Sequence, residues 1–243
     1  MRPWAPLLAA DDARAALNLA ARERDLRTST GHPVRFVAAT DAGTGPDARP
    51  YELHISETGR VPTRDDLHDL FNALCWLAFP RTKAALNAVQ AAVIARDGVR
   101  GRRGPVRDAA TLIDESGLLL AAADSRVFAA LAAHDWPRLL VHERARWGAE
   151  IVPMAFGHAL FEKLVRPFKA ITAVVVPLPL AVPGDGVDTR ALDAAAADFV
   201  RDPELRPRRL LRLPVLGIPG WHEPNTDAGF YDDAAVFRPA PNR

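Results

Sequence analysis

The sequence predicts an α+β fold: a small, mostly antiparallel sheet packed against a helix hairpin and further helices. Three observations predict it. Stretches of helical period and stretches of strand alternation occur in one chain. The longest helical pattern, "VPTRDDLHDLFNALCWLAFPRTKAALN" from Val61 to Asn87, is broken at Pro80, which turns one long helix into a pair. Apolar residues make up 49% of the 243 and charged residues 25%, ordinary values for a packed globular protein. One domain spanning residues 1–243 is the expectation at this length.

The elements follow in order. Asp11 to Leu26 reads as an amphipathic helix, with Asp11 or Asp12 as its cap. Pro33 to Ala39 reads as a strand. In "YELHISETG", Tyr51, Leu53 and Ile55 alternate with Glu52, His54 and Ser56, which predicts a second, half-buried strand forming a hairpin with the first. Thr63 is the candidate cap of the helix that follows, and a second helix runs from Lys83 to about Asp97 after the "FPRT" joint. "TLIDESGLLLAAAD" reads as two short strands around a Ser116-Gly117 turn. Ser125 to Ala133 is a short helix. "LLVHERARWGAEIVPMAF" is read as helix to about Trp147 and then strand, and "GHALFEKLV" as a short helix ending near Pro167. "AITAVVVPLPL" is a strand rich in β-branched residues, and Asp188 to Phe199 is a helix.

The totals narrow the function classes. A formal charge of +1 gives no global field to hold nucleic acid or an anionic membrane. The single cysteine, Cys75, rules out an internal disulfide and a cysteine-cluster metal site. The N-terminal apolar run is too short for a signal peptide and meets Asp11 and Asp12. "AITAVVVPLPLAVPG" falls short of the roughly 20 residues a membrane span needs. A cytoplasmic protein without a membrane partner is the expectation. There is no GxSxG, GxxxxGK[ST] or GxGxxG, and Cys75 sits among apolar residues where a thiol is unreactive.

Four groups carry candidate chemistry. In the Val61–Asn87 stretch, Leu67, Leu70, Phe71, Leu74 and Ala78 share a helix face, and His68 and Asn72 lie beside it at i,i+4 spacing. Polar groups placed there are costly unless paired, so they are either a histidine base or ligand oriented by an amide, or a core pair that locks the fold. His158 and Glu162 share a face of the "GHALFEKLV" helix, as an oriented acid–base pair, a metal-ligand pair or an ordinary salt link. Asp114 and Glu115 end a predicted strand and face opposite sides of it, or are simple turn chemistry. The glycine-rich loop from Gly98 to Arg107, with Arg100, Arg102 and Arg103, either clamps an anion or is solvated.

Taken in order, "VPTRDDLHDLFNALCWLAFPRTKAALN", "RDAATLIDESG", "FGHALFEKL" and "FYDDAAVFRP" resemble a bacterial family catalogued as domain of unknown function 3025, over about Trp4 to Pro239. The resemblance places the family's pattern on Tyr51, Glu52, Arg64, His68, Asp69, Asn72, Lys83, Arg107, Asp114, Glu115, His158 and Glu162, among others. It implies no activity or cofactor, but a pattern joining so many titratable residues implies a site. The functional expectation is a hydrolytic enzyme acting on a small anionic molecule. His68, Asp69, Asn72, Asp114, Glu115, His158 and Glu162 would do the chemistry, directly or on a divalent metal ion, and Arg64, Lys83 and Arg107 would hold the anion. The rival expectation is a non-catalytic module that binds phosphate or nucleic acid through the Gly98–Arg107 loop.

Overall fold

The computed structural model describes residues 12–42, 49–98, 104–183 and 186–240. Helix α1, Ala13–Glu23, is capped by Asp12, whose carboxylate accepts from the Ala15 N–H, and it buries Leu17, Ala20 and Ala21. Strand β1, Arg35–Ala38, follows. The expected hairpin partner is not a strand: Tyr51–Thr58 forms helix α2. Its three apolar residues alternate, yet only Ile55 is buried, so the alternation never marked a sheet face. Pro50 precedes the helix and Gly59 ends it at φ 70°, the start and stop signals that outweigh the pattern. Gly59 is needed twice, because a Cβ there would also lie 2.2 Å from the Pro33 carbonyl oxygen. β1 pairs instead with β2, Arg60–Thr63, in parallel.

Helix α3, Leu67–Ala78, is capped by Asp66 rather than Thr63. Thr63 belongs to β2, and its hydroxyl donates to the Val61 carbonyl. The seven residues Phe71–Leu77 are all buried, whereas Leu67, expected on the core face, is 51% exposed because the first turn protrudes. Helix α4, Pro80–Asp97, starts at Pro80 itself, so the joint is Phe79 alone. Proline fits the first helical position because no N–H is required there. Asp193 caps this start, accepting from the Arg81 and Thr82 N–H groups.

"TLIDESG" is helical, not extended. Helix α5 spans Pro105–Ser116 and buries Ala109, Ala110 and Ile113 at helical spacing. β3, Gly117–Ala121, follows at once, buried at every position. Helix α6 spans Ser125–Ala132. The helix expected up to Trp147 is a π-helical turn, Pro137–His142, and a 3-10 turn, Arg144–Arg146. Then come β4, Val152–Ala155, helix α7, His158–Val165, β5, Thr172–Leu178, helix α8, Thr189–Val200, and β6, Leu211–Pro214.

The main sheet has the order β4-β3-β5-β6. β3 pairs with β5 in parallel, and the two outer pairings are antiparallel. The class is α+β, with a mixed sheet. Alternation along β3 and β5 feeds two cores, Leu118, Leu120 and Val175 on one face, Leu119, Val174 and Val176 on the other. A third core joins α1, α2, β1, β2 and α3 through Leu17, Phe36, Ile55, Val61 and Phe71. Among the described residues, no helix is long and apolar enough to cross a membrane.

Candidate functional site

The site is built where α3 and α7 cross beside the N-terminal turns of α2 and α4 and the C-terminal turn of α5. Lys83, in the first turn of α4, is 4% exposed. A buried ammonium needs partners, and it has two: Asn72 Oδ1 at 2.7 Å and Asp114 Oδ1 at 2.5 Å. Asn72 uses its other end to donate to the Tyr51 hydroxyl at 3.1 Å. Tyr51, Asn72, Lys83 and Asp114 thus form one continuous polar chain. Desolvation of the Tyr51 hydroxyl, helped by the Asp114 charge, raises its pKa, although the residue as a whole is 43% exposed.

His158 opens α7 and is buried. Its Nδ1 is sealed from solvent without a hydrogen-bond partner, 3.9 Å from Asp114 Oδ2. That is too long for a hydrogen bond. Burial pulls its pKa down to about 4 against the opposing pull of Asp114, so the ring is neutral at pH 7. The His68 ring meets it edge to face, with centroids 4.5 Å apart. His68 Nδ1 in turn lies 3.0 Å from Glu162 Oε2.

Glycine makes this junction possible. A Cβ on Gly157 would lie 2.4 Å from the Glu115 carbonyl oxygen and 2.5 Å from the Gly117 nitrogen. The missing side chain lets the start of α7 abut the end of α5, which brings His158 to Asp114.

The i,i+4 spacings do not describe the contacts these residues make. His68 and Asn72 do not bond to each other: one turns outward to Glu162 and the other inward to Lys83. Glu162 likewise pairs across helices with His68 rather than along α7 with His158. Asp114 and Glu115 are not on opposite faces of a strand. They are consecutive in the last turn of a helix, about 100° apart. Asp114 points into the cluster, and Glu115 is exposed with no hydrogen bond or ion pair among the described residues.

Of the three expected anion holders, two are committed elsewhere. Lys83 is neutralised by Asp114. Arg64 donates from its backbone and side chain to Asp69, at 2.7 Å from N and 2.9 Å from Nε, and also lies near Asp66. Burial would raise the Asp69 carboxyl, but these bonds outweigh it and hold it below the usual range. Asp69 is therefore a local clamp on Arg64 rather than a member of the histidine cluster. Arg107 differs. It is 9% exposed, its Nε is sealed without a partner, and no carboxylate lies within 4 Å among the described residues. Arg100, Arg102 and Arg103 of the basic loop lie outside the described residues.

Tyr51 is the member that pattern reading missed. Its alternation with Leu53 and Ile55 marks it as apolar, and only its place in the family-like block sets it apart. Cys75 is buried and donates to the Phe156 carbonyl, and burial pushes its thiol up to about 12. Among the described residues, no group of three or more His, Cys, Asp or Glu side chains is placed to hold a metal ion. A cleft of about 1100 Å³ is lined by Phe71, Leu74, Phe161 and Trp221 among others, not by the histidines.

No curated protein and no solved structure matches this chain. A family match covers residues 34–241, starting some thirty residues later than the motif resemblance implied, and it contains every residue of the cluster. The chain belongs to the family described as "Protein of unknown function (DUF3025)".

Proposed function

We propose that this chain is an enzyme that hydrolyses a small anionic molecule in the cytoplasm, with His158 as the proton acceptor. The observation that carries the reading is the buried His158 imidazole, neutral at pH 7 and facing Asp114, against a second imidazole held by Glu162. A neutral ring can take a proton from an attacking water. Asp114 faces the ring at 3.9 Å, where its charge would stabilise the imidazolium as it forms; orienting the ring as in a nucleophile–histidine–carboxylate set requires the pair to close by about 1 Å to hydrogen-bond distance. His68 and Glu162, half-exposed beside the His158 ring, supply the second proton carrier. Lys83 fixes Asp114, and Arg107 is the cation left to meet the substrate's charge. The direct route, with imidazole and no metal, is the one these residues support best.

The test begins with a panel of phosphate and carboxylate esters, first by thermal shift, since a ligand raises melting by mass action, and then by turnover. For a substrate so found, His158→Ala and His68→Ala are each expected to lower kcat by about 10²- to 10⁴-fold. Unchanged turnover in folded variants would falsify the reading. The unpartnered Arg107 also suits a second reading, a non-catalytic module binding phosphate or nucleic acid at the Gly98–Arg107 loop. That reading requires binding that weakens steeply with salt and survives loss of both histidines.

A further inference from the structure

The cleft of about 1100 Å³ belongs to none of this chemistry. α3 and α7 serve both features: His68 and His158 carry the polar cluster, while Phe71 and Phe161, each three residues later, line the cleft. Its floor is apolar, made by Phe71, Leu74, Met154 and Trp221 among others. At about 1100 Å³ it is just above the roughly 300–1,000 Å³ that holds a drug-sized ligand, room for a long molecule.

Its rim is charged in an uneven way. Arg81 and Arg190 both line it, and neither makes an ion pair among the described residues. The carboxylate between them, Asp193, is no counter-charge, because it is 3% exposed and spent on α4. It accepts from the Arg81 N–H at 2.9 Å, the Thr82 N–H at 2.8 Å and the Thr82 hydroxyl at 2.7 Å. Those bonds also tether the start of α4 to α8, three residues on from Arg190, so the two arginines stand on adjoining helix turns. The other charged lining residues, Glu23 and Arg24, are sequence neighbours of opposite sign.

An apolar trough with two arginines on adjoining turns, neither in an ion pair among the described residues, fits a molecule with a hydrocarbon body and one anionic head. A peptide fits less well. The cleft runs beside β4, the edge of the main sheet, but β4 carries Pro153, which has no N–H to give to an added strand. We infer that this cleft binds one amphiphilic anion, its carboxylate or phosphate head on Arg81 and Arg190 and its chain along the Phe71–Trp221 floor. Guanidinium groups grip either head through paired N–H donors. The inference does not rest on the hydrolytic reading.

The experiment is calorimetric titration of the full chain with dodecanoate, monododecyl phosphate, dodecan-1-ol and acetate, each below its aggregation limit. One equivalent of at least one anionic long-chain probe is expected to bind, more tightly than the alcohol and far more tightly than acetate. Which head binds names the head-group class. Arg81→Gln with Arg190→Gln is expected to weaken that binding at least about tenfold, with melting unchanged because both side chains are exposed. Ala78→Trp, which fills the trough, is expected to abolish it. Failure of both anionic probes to bind, several equivalents per chain, equal affinity for dodecan-1-ol, or indifference to the arginine pair would each overturn the inference.

Discussion

At the scale of single residues, the cluster is organised by one buried cation. Lys83 holds Asp114 on one side and Asn72 on the other, and so sets where the carboxylate facing His158 stands. Such a pair is weak evidence for stability, because removing two charges from water costs about what their attraction returns. Its value is positional. His158 is the residue with a thermodynamic signature. Its folded pKa is about 4 and its unfolded pKa is 6.5, so between those values the unfolded chain carries the extra proton. Its contribution is complete above pH 6.5 and is lost as pH falls through 4. The shift corresponds to roughly 3 kcal/mol, since a pKa unit is about 1.4 kcal/mol. Urea denaturation of the wild type at pH 7 and pH 4.5 should show a loss approaching that size, and His158→Gln should remove most of the difference. An equal loss in both proteins would show that the acid sensitivity lies elsewhere.

At the scale of elements, the site depends on one close approach, that of α7 to α5 across Gly157. Gly157→Ala places a methyl carbon against backbone atoms that have no rotamer with which to yield. A destabilisation of about 1–3 kcal/mol is expected, the usual cost of overpacking, together with loss of the His68–His158 ring contact. A melting temperature and His158 ring shifts identical to wild type would refute this. The elements that sequence reading missed share a cause. Tyr51–Thr58 and the "TLIDESG" segment are short or flanked by a buried strand, and over so few residues alternation and helical spacing cannot be told apart. The flanking signals, Pro50 with Gly59 and Gly104 with Pro105, favoured helix in both cases. Longer segments with clear caps, such as Thr189–Val200 after Asp188, were legible.

At the scale of the whole molecule, what the sequence could not show was pairing across the chain. It marked His68, Asn72, Lys83, Asp114, His158 and Glu162 as unusual, and the fold brings all six together from four helices. Yet it tied His68 to Asn72 and His158 to Glu162, because helix spacing is the only proximity a sequence displays. The real contacts, Lys83 to Asp114 and His68 to Glu162, span 31 and 94 residues. Glu115, one residue from Asp114, falls outside the cluster, separated from it by the turn of a helix rather than by strand alternation. The apolar cleft was invisible for the same reason: its walls come from α3, α7, β4 and the first turns of α4 and α8. The enclosure of His158 is likewise a property of the assembly, since α3, α5 and α7 must all be packed to keep water from its ring. The most direct measurement is therefore a pH titration of the His158 ring by NMR in the full chain. A neutral ring down to about pH 5 with a midpoint near 4, moved lower still by Asp114→Asn, is the result this account predicts. A midpoint near 6.5 that ignores Asp114 would mean a solvated imidazole, and would contradict it.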